Sequence, residues 1–230
     1  MSYEWDWKDA KQDLQRGIQL NPSDPYGEIF FTFYSQALGD MQGALVHARR
    51  AVKLDPVSFF ANRNLASELY FARRYDAALA QVERTRELRK GSGVLENWAS
   101  WAYEEKHMYG KALRADLKDL AENGVPTADL NFFRRSYARG GWRAYLKAKI
   151  QRMLPLAKRQ SIPYLLGVAY ARIGDRDDAF RWLNRAVDQH CIWLVSLAVD
   201  PRLDPLRSDP RFQVLLRRIN LPQESAQAMR

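Results

Sequence analysis

Hydrophobic, small and polar positions recur at a fixed interval along this chain. Ala10, Ala44, Ala78 and Ala112 stand 34 residues apart, and Trp7, Met41, Tyr75 and Tyr109 keep step three residues before them. Four residues after each alanine comes Leu14, Ala48, Val82 or Asp116, and seven after comes Gly17, Ala51, Thr85 or Asp119. Spacings of three, four and seven keep one helical face turned to a neighbour, and small residues on that face let two backbones approach closely. Pro22 and Pro56 follow the first two alanines by twelve residues, where a helix ends. An amphipathic segment precedes each of the later alanines: Tyr26 to Leu38, Phe60 to Ala72, and Val94 to Lys106. Each unit is therefore expected to be a helical hairpin, and a period of this length predicts an all-α array of stacked hairpins.

The aromatic, small and proline positions Tyr75, Ala78 and Pro56 resemble the signature of the tetratricopeptide repeat (TPR). Leu166-Gly167, Tyr170, Gly174, Ala179, Leu183 and Ala186 keep the same spacing in a further unit. Between it and Ala112 there is room for one unit short of a residue, with Thr127 to Arg139 as its first helix and Trp142 to Lys158 as its second. Tyr145 stands there in place of the expected alanine. The resemblance implies an all-α, right-handed superhelical solenoid in one domain over residues 1–222. It divides into a half repeat at 3–22, repeats at 25–56, 59–90, 93–126, 127–159 and 160–190, a C-terminal cap at 191–222, and a disordered tail at 223–230.

The stretch from Val199 to Phe212 carries three Asp-Pro pairs, at Asp200, Asp204 and Asp209. It resembles the tail that closes the C-terminal TPR region of bacterial multidomain regulators with winged-helix, adenylate-cyclase-like or Ser/Thr-kinase domains. Trp5-Asp6-Trp7, followed by Ala10 and Leu20-Asn21-Pro22, looks like an internal unit of such arrays. Read from the residues alone, Asp-Pro pairs are turn and helix-start signals. Phe212, Val214, Leu215 and Leu216 would then form a last short helix over the end of the stack. Residues 3–20 supply a second helix with no first helix before it, so the chain reads either as a piece of a longer protein cut within an array or as one opened by a cap helix.

Charge is uneven. Residues up to 125 hold 17 Lys/Arg and 18 Asp/Glu, whereas the remainder holds 19 and 9, which accounts for the whole net charge of +9. Between Asp129 and Asp175 lie ten basic residues and no acidic one. Arg134, Arg143, Lys147 and Arg152 are taken as a basic patch. It is either a solvated face or a docking surface for an acidic partner, nucleic acid being the alternative to protein.

The resemblance implies a concave groove lined by the first helices of successive hairpins. Transferred by register, its positions hold Tyr26, Ile29, Phe33 and Gln36, then Phe60, Arg63, Ser67, Tyr70 and Phe71, then Asn97, Trp101, Glu104 and Glu105. Asn131, Arg135 and Arg139 follow, and last Tyr164 and Arg172. Aromatics beside arginine and asparagine suit a peptide, since rings give area at low entropic cost and polar groups fix a bound backbone. The expected partner-binding residues are Tyr26, Phe33, Arg63, Tyr70, Asn97, Trp101, Arg135, Arg139 and Tyr164. Packing between hairpins is the competing role of the rings. Ile29 and Phe33 stand where the family's two-carboxylate clamp has lysine and asparagine, which argues against a receptor for chaperone tails.

Other chemistry is thin. His47, His107 and His190 are far apart, and His190 beside Cys191 has no second pair at metal-ligand spacing. Glu104 and Glu105 are adjacent and point about 100° apart on a helix. Gly91-Ser92-Gly93 and Gly140-Gly141 read as connections rather than phosphate loops. No metal, cofactor or catalytic site is expected. A membrane-spanning run and a secretory leader are likewise not expected, and a single cysteine fits the expectation of a cytoplasmic protein. The sequence thus predicts a non-enzymatic interaction scaffold or regulatory domain.

Overall fold

A computed structural model describes residues 5–88 and 95–221. All described regular structure is helical: α1 (Trp7–Leu20), α2 (Pro25–Ala37), α3 (Met41–Leu54), α4 (Phe59–Phe71), α5 (Tyr75–Leu88), α6 (Glu96–Glu105), α7 (Tyr109–Glu122), α8 (Thr127–Met153), α9 (Ile162–Arg172), α10 (Arg176–Asp188) and α11 (Pro210–Arg218). Short 3₁₀ helices at Leu154–Leu156, Ile192–Ser196 and Pro201–Leu206 complete the set. The segment from Arg89 to Val94, the Gly91-to-Gly93 connection within it, Tyr3 and the 223–230 tail lie outside the described residues.

The period of the sequence is written into the backbone. Gly39, Arg73, His107, Gly141 and Gly174 all have positive φ, between 56° and 82°, and each sits in the turn between the two helices of a hairpin. Left-handed backbone at that point reverses the chain, and glycine adopts it without steric cost. Arg73 and His107 adopt it despite carrying side chains. In α8 the break is abrupt: Gly140 and Gly141 leave helical geometry, separating Thr127–Arg139 from the segment that starts at Trp142. The second of these ends at Met153 rather than the expected Lys158, because Pro155 has no N–H to continue the ladder and the chain tightens into 3₁₀.

The chain forms two compact units. One comprises Lys8–Gln36 and Asp40–Leu130. In it α3 packs on α4, α4 on α5, α5 on α6, and α6 on α7, while the first helices α4 and α6 also touch. Ala44, Ala78 and Ala112 are fully buried, as the close approach of helices requires. Asp40 caps α3 by accepting from the Gly43 N–H at 2.8 Å, and Ser58 caps α4 through the Ala61 N–H. Gly17 departs from the expected pattern of close approach, since nothing lies within 4 Å of where its Cβ would be.

The other unit comprises Met1–Trp7, Ala37–Gly39 and Asn131–Arg230. In it α9 packs on α10 and on the Pro201–Leu206 turn, and α10 on α11. A Cβ on Gly167 would lie 2.7 Å from Leu183 Cγ, so the α9–α10 contact depends on that glycine. Tyr145, in the place of an alanine, is fully buried and packs edge-on to Phe133. Asp200 and Asp209 begin helices, accepting from the N–H groups of Arg202 and Arg211, whereas Asp204-Pro205 falls inside a 3₁₀ helix and starts nothing. Phe212, Leu215 and Leu216 of α11 are buried, but Val214, expected with them, is exposed. Trp5 and Trp7 are covered within this unit: the Trp7 indole N–H donates to the Ile219 carbonyl at 2.8 Å, and Trp5 stacks on His190.

Candidate functional site

In the Lys8–Gln36 and Asp40–Leu130 unit the first helices α2, α4 and α6 carry a mixed face. At its start Tyr26 and Phe60 are 48% and 47% exposed, with ring centroids 6.5 Å apart. Phe30, which register did not single out, is equally exposed and lies 6.4 Å from the half-buried Phe33. Phe33 in turn packs on the Ile29, Ala51 and Ala61 cluster, so it is partly structural. One helical turn beyond Phe60 comes Arg63. Its guanidinium has no hydrogen bond or ion pair among the described residues, and burial lowers its pKa. A cation half withdrawn from water with no carboxylate to meet it favours an anionic ligand. Asn97 holds the same repeat position in α6 and is half-buried; its side-chain oxygen is buried without a hydrogen-bond partner.

Behind this face lies a strip of buried neutral polarity. Asn64 donates to Thr32 Oγ1 at 2.9 Å and to Glu68 Oε1 at 3.4 Å, and the Ser67 hydroxyl donates to the Asn64 carbonyl at 2.7 Å. Glu68 is fully buried, its Oε2 has no partner, and burial pushes its pKa up to about 8 against the smaller opposing effect of Ser67. The carboxyl is thus held neutral at physiological pH.

Three rings assigned to the groove are packing residues. Tyr70 is fully buried and Trp101 is 9% exposed. Together with Phe71 and Trp98 they form one aromatic cluster, Trp98 and Trp101 meeting edge-to-face at 4.9 Å and Tyr70 lying 5.8 Å from each. Spacing of three brings Trp98 and Trp101 to one side of α6, where α4 receives them; the contact area of indoles is larger than a surface position can leave open. Tyr164 is fully buried too, and its hydroxyl donates to Asp200 Oδ2 at 2.9 Å. Asp200 is clasped by Arg202 through Nε at 3.0 Å and Nη2 at 2.7 Å. Burial, then the Asp200 charge, raises the Tyr164 pKa well above its usual value, so the phenol stays protonated. No sequence spacing announced this triad, in which Tyr164 on α9 lies 36 residues before Asp200, and Arg202 two residues after it.

Arg135 and Arg139 are exposed on α8 in the other unit. The basic patch divides there. Arg134 donates to Asn131 Oδ1 at 2.9 Å, and Arg152 lies over the Phe132 ring at 4.8 Å. Arg143 and Lys147 instead line an open surface depression of about 690 Å³, called the cavity below. The histidines are separate: His47 Nδ1 lies 2.7 Å from Glu28 Oε2, His107 Nδ1 lies 2.9 Å from the Tyr109 hydroxyl, and His190 stacks on Trp5. Among the described residues no three His, Cys, Asp or Glu side chains cluster as metal ligands, and no helix is long and apolar enough to cross a membrane.

Among solved structures, the APC/C hetero-tetramer Cut9–Hcn1 has a similar chain, with a TM-score of 0.59 over 95% of this chain at 13% identity. The fold is a TPR-like, all-α solenoid. This chain spans 47% of that one, about half its length. YrrB, described as a TPR protein with an unusual peptide-binding site, is similar at a TM-score of 0.45 and 18% identity over 80% of this chain and 95% of its own. No protein-family model and no curated protein sequence matches the chain.

Proposed function

We propose that this protein is a non-enzymatic interaction module that holds an extended peptide segment against α2, α4 and α6. The observation that carries the reading is Arg63, a half-buried guanidinium without a counter-charge, next to the exposed Tyr26–Phe60 pair. The rings supply apolar area and Arg63 takes a carboxylate of the peptide. A charge-assisted hydrogen bond of this type contributes about 1.5–3 kcal/mol. The buried, thiol-raising surroundings of Cys191 and the sealed position of Glu68 support a binding role over a catalytic one. Likeness of the Val199-to-Phe212 tail to bacterial regulators supports a cytoplasmic, regulatory setting in which the peptide belongs to another domain or protein.

The test is selection of unstructured peptides from a display library on the full chain, followed by affinity measurement. Selected peptides should bind in the micromolar range or better and lose about tenfold with Arg63→Ala and again with Phe60→Ala, at unchanged helicity. Peptides that bind both variants as they bind the parent would refute the assignment. Nucleic-acid binding through Arg134, Arg143, Lys147 and Arg152 is the second reading, favoured only by the run of basic residues in α8. Arg134 and Arg152 are already engaged within the protein, which weakens it.

A further inference from the structure

Arg143 and Lys147 sit one helical turn apart on the second half of α8, and so share a face. The cavity they line is completed by the turn between α9 and α10 and by the start of α11, all in the Asn131–Arg230 unit. It brings in two cations from far along the chain, Arg176 at the first position of α10 and Arg211 at the start of α11. The charges are not alike in state. Arg211 is spoken for: it donates to Asp177 Oδ1 at 2.7 Å and Asp209 Oδ2 at 2.8 Å, and together with its own backbone N–H it holds Asp209 down to about 2. Asp175 is committed as well, capping α10 through the Asp178 N–H. Arg143, Lys147 and Arg176 have no side-chain hydrogen bond or ion pair among the described residues.

We propose that this cavity is a phosphate-recognition pocket, taking a phosphomonoester carried on a peptide segment. Three cationic side chains face one space, Arg143 and Lys147 without a partner among the described residues and Arg176 engaged with Asp209 only through charge, and a phosphomonoester offers about two charges and three acceptor oxygens, enough for two guanidinium forks and an ammonium. A carboxylate would leave one of the three unmatched. The space is an open depression, which a phosphorylated side chain reaches while its backbone stays at the surface. The three carboxylates that share this lining, Asp175, Asp177 and Asp209, decide between a peptide and a nucleic acid. Each further phosphodiester of a polyanion adds repulsion from them, whereas a single phosphate flanked by a basic residue carries its own compensation. Asp177, exposed beside its contact with Arg211, then suits a basic residue flanking the phosphate. The pocket uses none of the residues of the α2–α4–α6 face, so it stands whether or not that face binds peptide.

The experiment is fluorescence anisotropy on the full chain with a labelled Gly/Ala/Ser peptide bearing one phosphoserine and a neighbouring arginine. Its unphosphorylated twin, an oligothymidylate and inorganic phosphate as competitor serve as comparison probes. The phosphopeptide should bind, its twin should not, and inorganic phosphate should displace it. Arg143→Ala with Lys147→Ala should weaken binding about tenfold or more, while Arg134→Ala with Arg159→Ala, which removes equal charge outside the cavity, leaves it unchanged. Arg63→Ala should also leave it unchanged, which separates this result from the fate of the peptide face. Arg143, Lys147, Arg134 and Arg159 are exposed, and Arg143→Lys keeps the charge while removing the fork, so intermediate affinity is expected for it. Equal binding of the twin peptide, failure of phosphate to compete, or equal loss in the two double variants would overturn the proposal. So would tighter binding of the oligothymidylate that responds alike to both double variants, since that identifies a diffuse electrostatic surface for nucleic acid.

Discussion

In the Lys8–Gln36 and Asp40–Leu130 unit, the first helices bury neutral polar groups side by side: Thr32, Asn64, Ser67 and a protonated Glu68. In the Asn131–Arg230 unit the buried polarity is instead an ion pair, Asp200 with Arg202, closed by the Tyr164 hydroxyl. Both solve the problem of polar groups withdrawn from water, with different consequences. The ion pair is satisfied on every side and fixes the turn that follows α10. The neutral strip leaves Glu68 Oε2 without a partner, so its stability depends on a proton. The units also differ at their surfaces. In the first, the exposed face is aromatic with a single unmatched arginine. The second brings Arg143, Lys147 and Arg176 to one open depression.

The comparison can be broken most forcefully at the ion pair. Arg202→Ala leaves the Asp200 charge buried with only the Tyr164 hydroxyl and the backbone N–H of residue 202 to meet it, and should destabilise the chain by about 3–5 kcal/mol in denaturant unfolding. A loss below about 1 kcal/mol would mean that Asp200 is reached by water and that the two units do not differ as described. The neutral strip is probed by pH. Glu68 is raised in the folded state, so the folded chain retains a proton that the unfolded chain has released once the pH passes the usual glutamate range. Stability should therefore fall between about pH 5 and about pH 8, by up to about 1.4 kcal/mol per pH unit, and level off above. Glu68→Gln should flatten that slope; an unchanged slope would place its origin elsewhere. The smallest effect concerns the hairpin turns. Arg73 carries a side chain at the left-handed position that glycine fills at Gly39, Gly141 and Gly174. Arg73→Gly should raise stability by about 0.5–1 kcal/mol, as relief of steric strain outweighs the added freedom of the unfolded chain. No gain, or a loss, would show that the turn carries no such strain.

Small residues at 34-residue spacing were a reliable guide because helix proximity depends on them locally, and Ala44, Ala78 and Ala112 are buried as that spacing requires. The same register failed for Tyr70, Trp101 and Tyr164. Register tells which side of a first helix a residue occupies, but whether a ring there stays open depends on the size of its neighbours in the next hairpin. Trp98 and Phe71 close over the first two, and Asp200 claims the third. Arg63 was legible as a surface position, although its lack of a counter-charge was not, since pairing is set by residues on other helices. Arg143 and Lys147 could be read as part of a basic run. Their convergence with Arg176 could not, because the turn that brings it in lies about a full repeat downstream.

The most direct test of the account is hydrogen exchange of the full chain with and without a display-selected peptide. The account predicts added protection in α2, α4 and α6, lost with Arg63→Ala. Protection confined to α8, α9 or α10, or protection unaffected by Arg63→Ala, would contradict it.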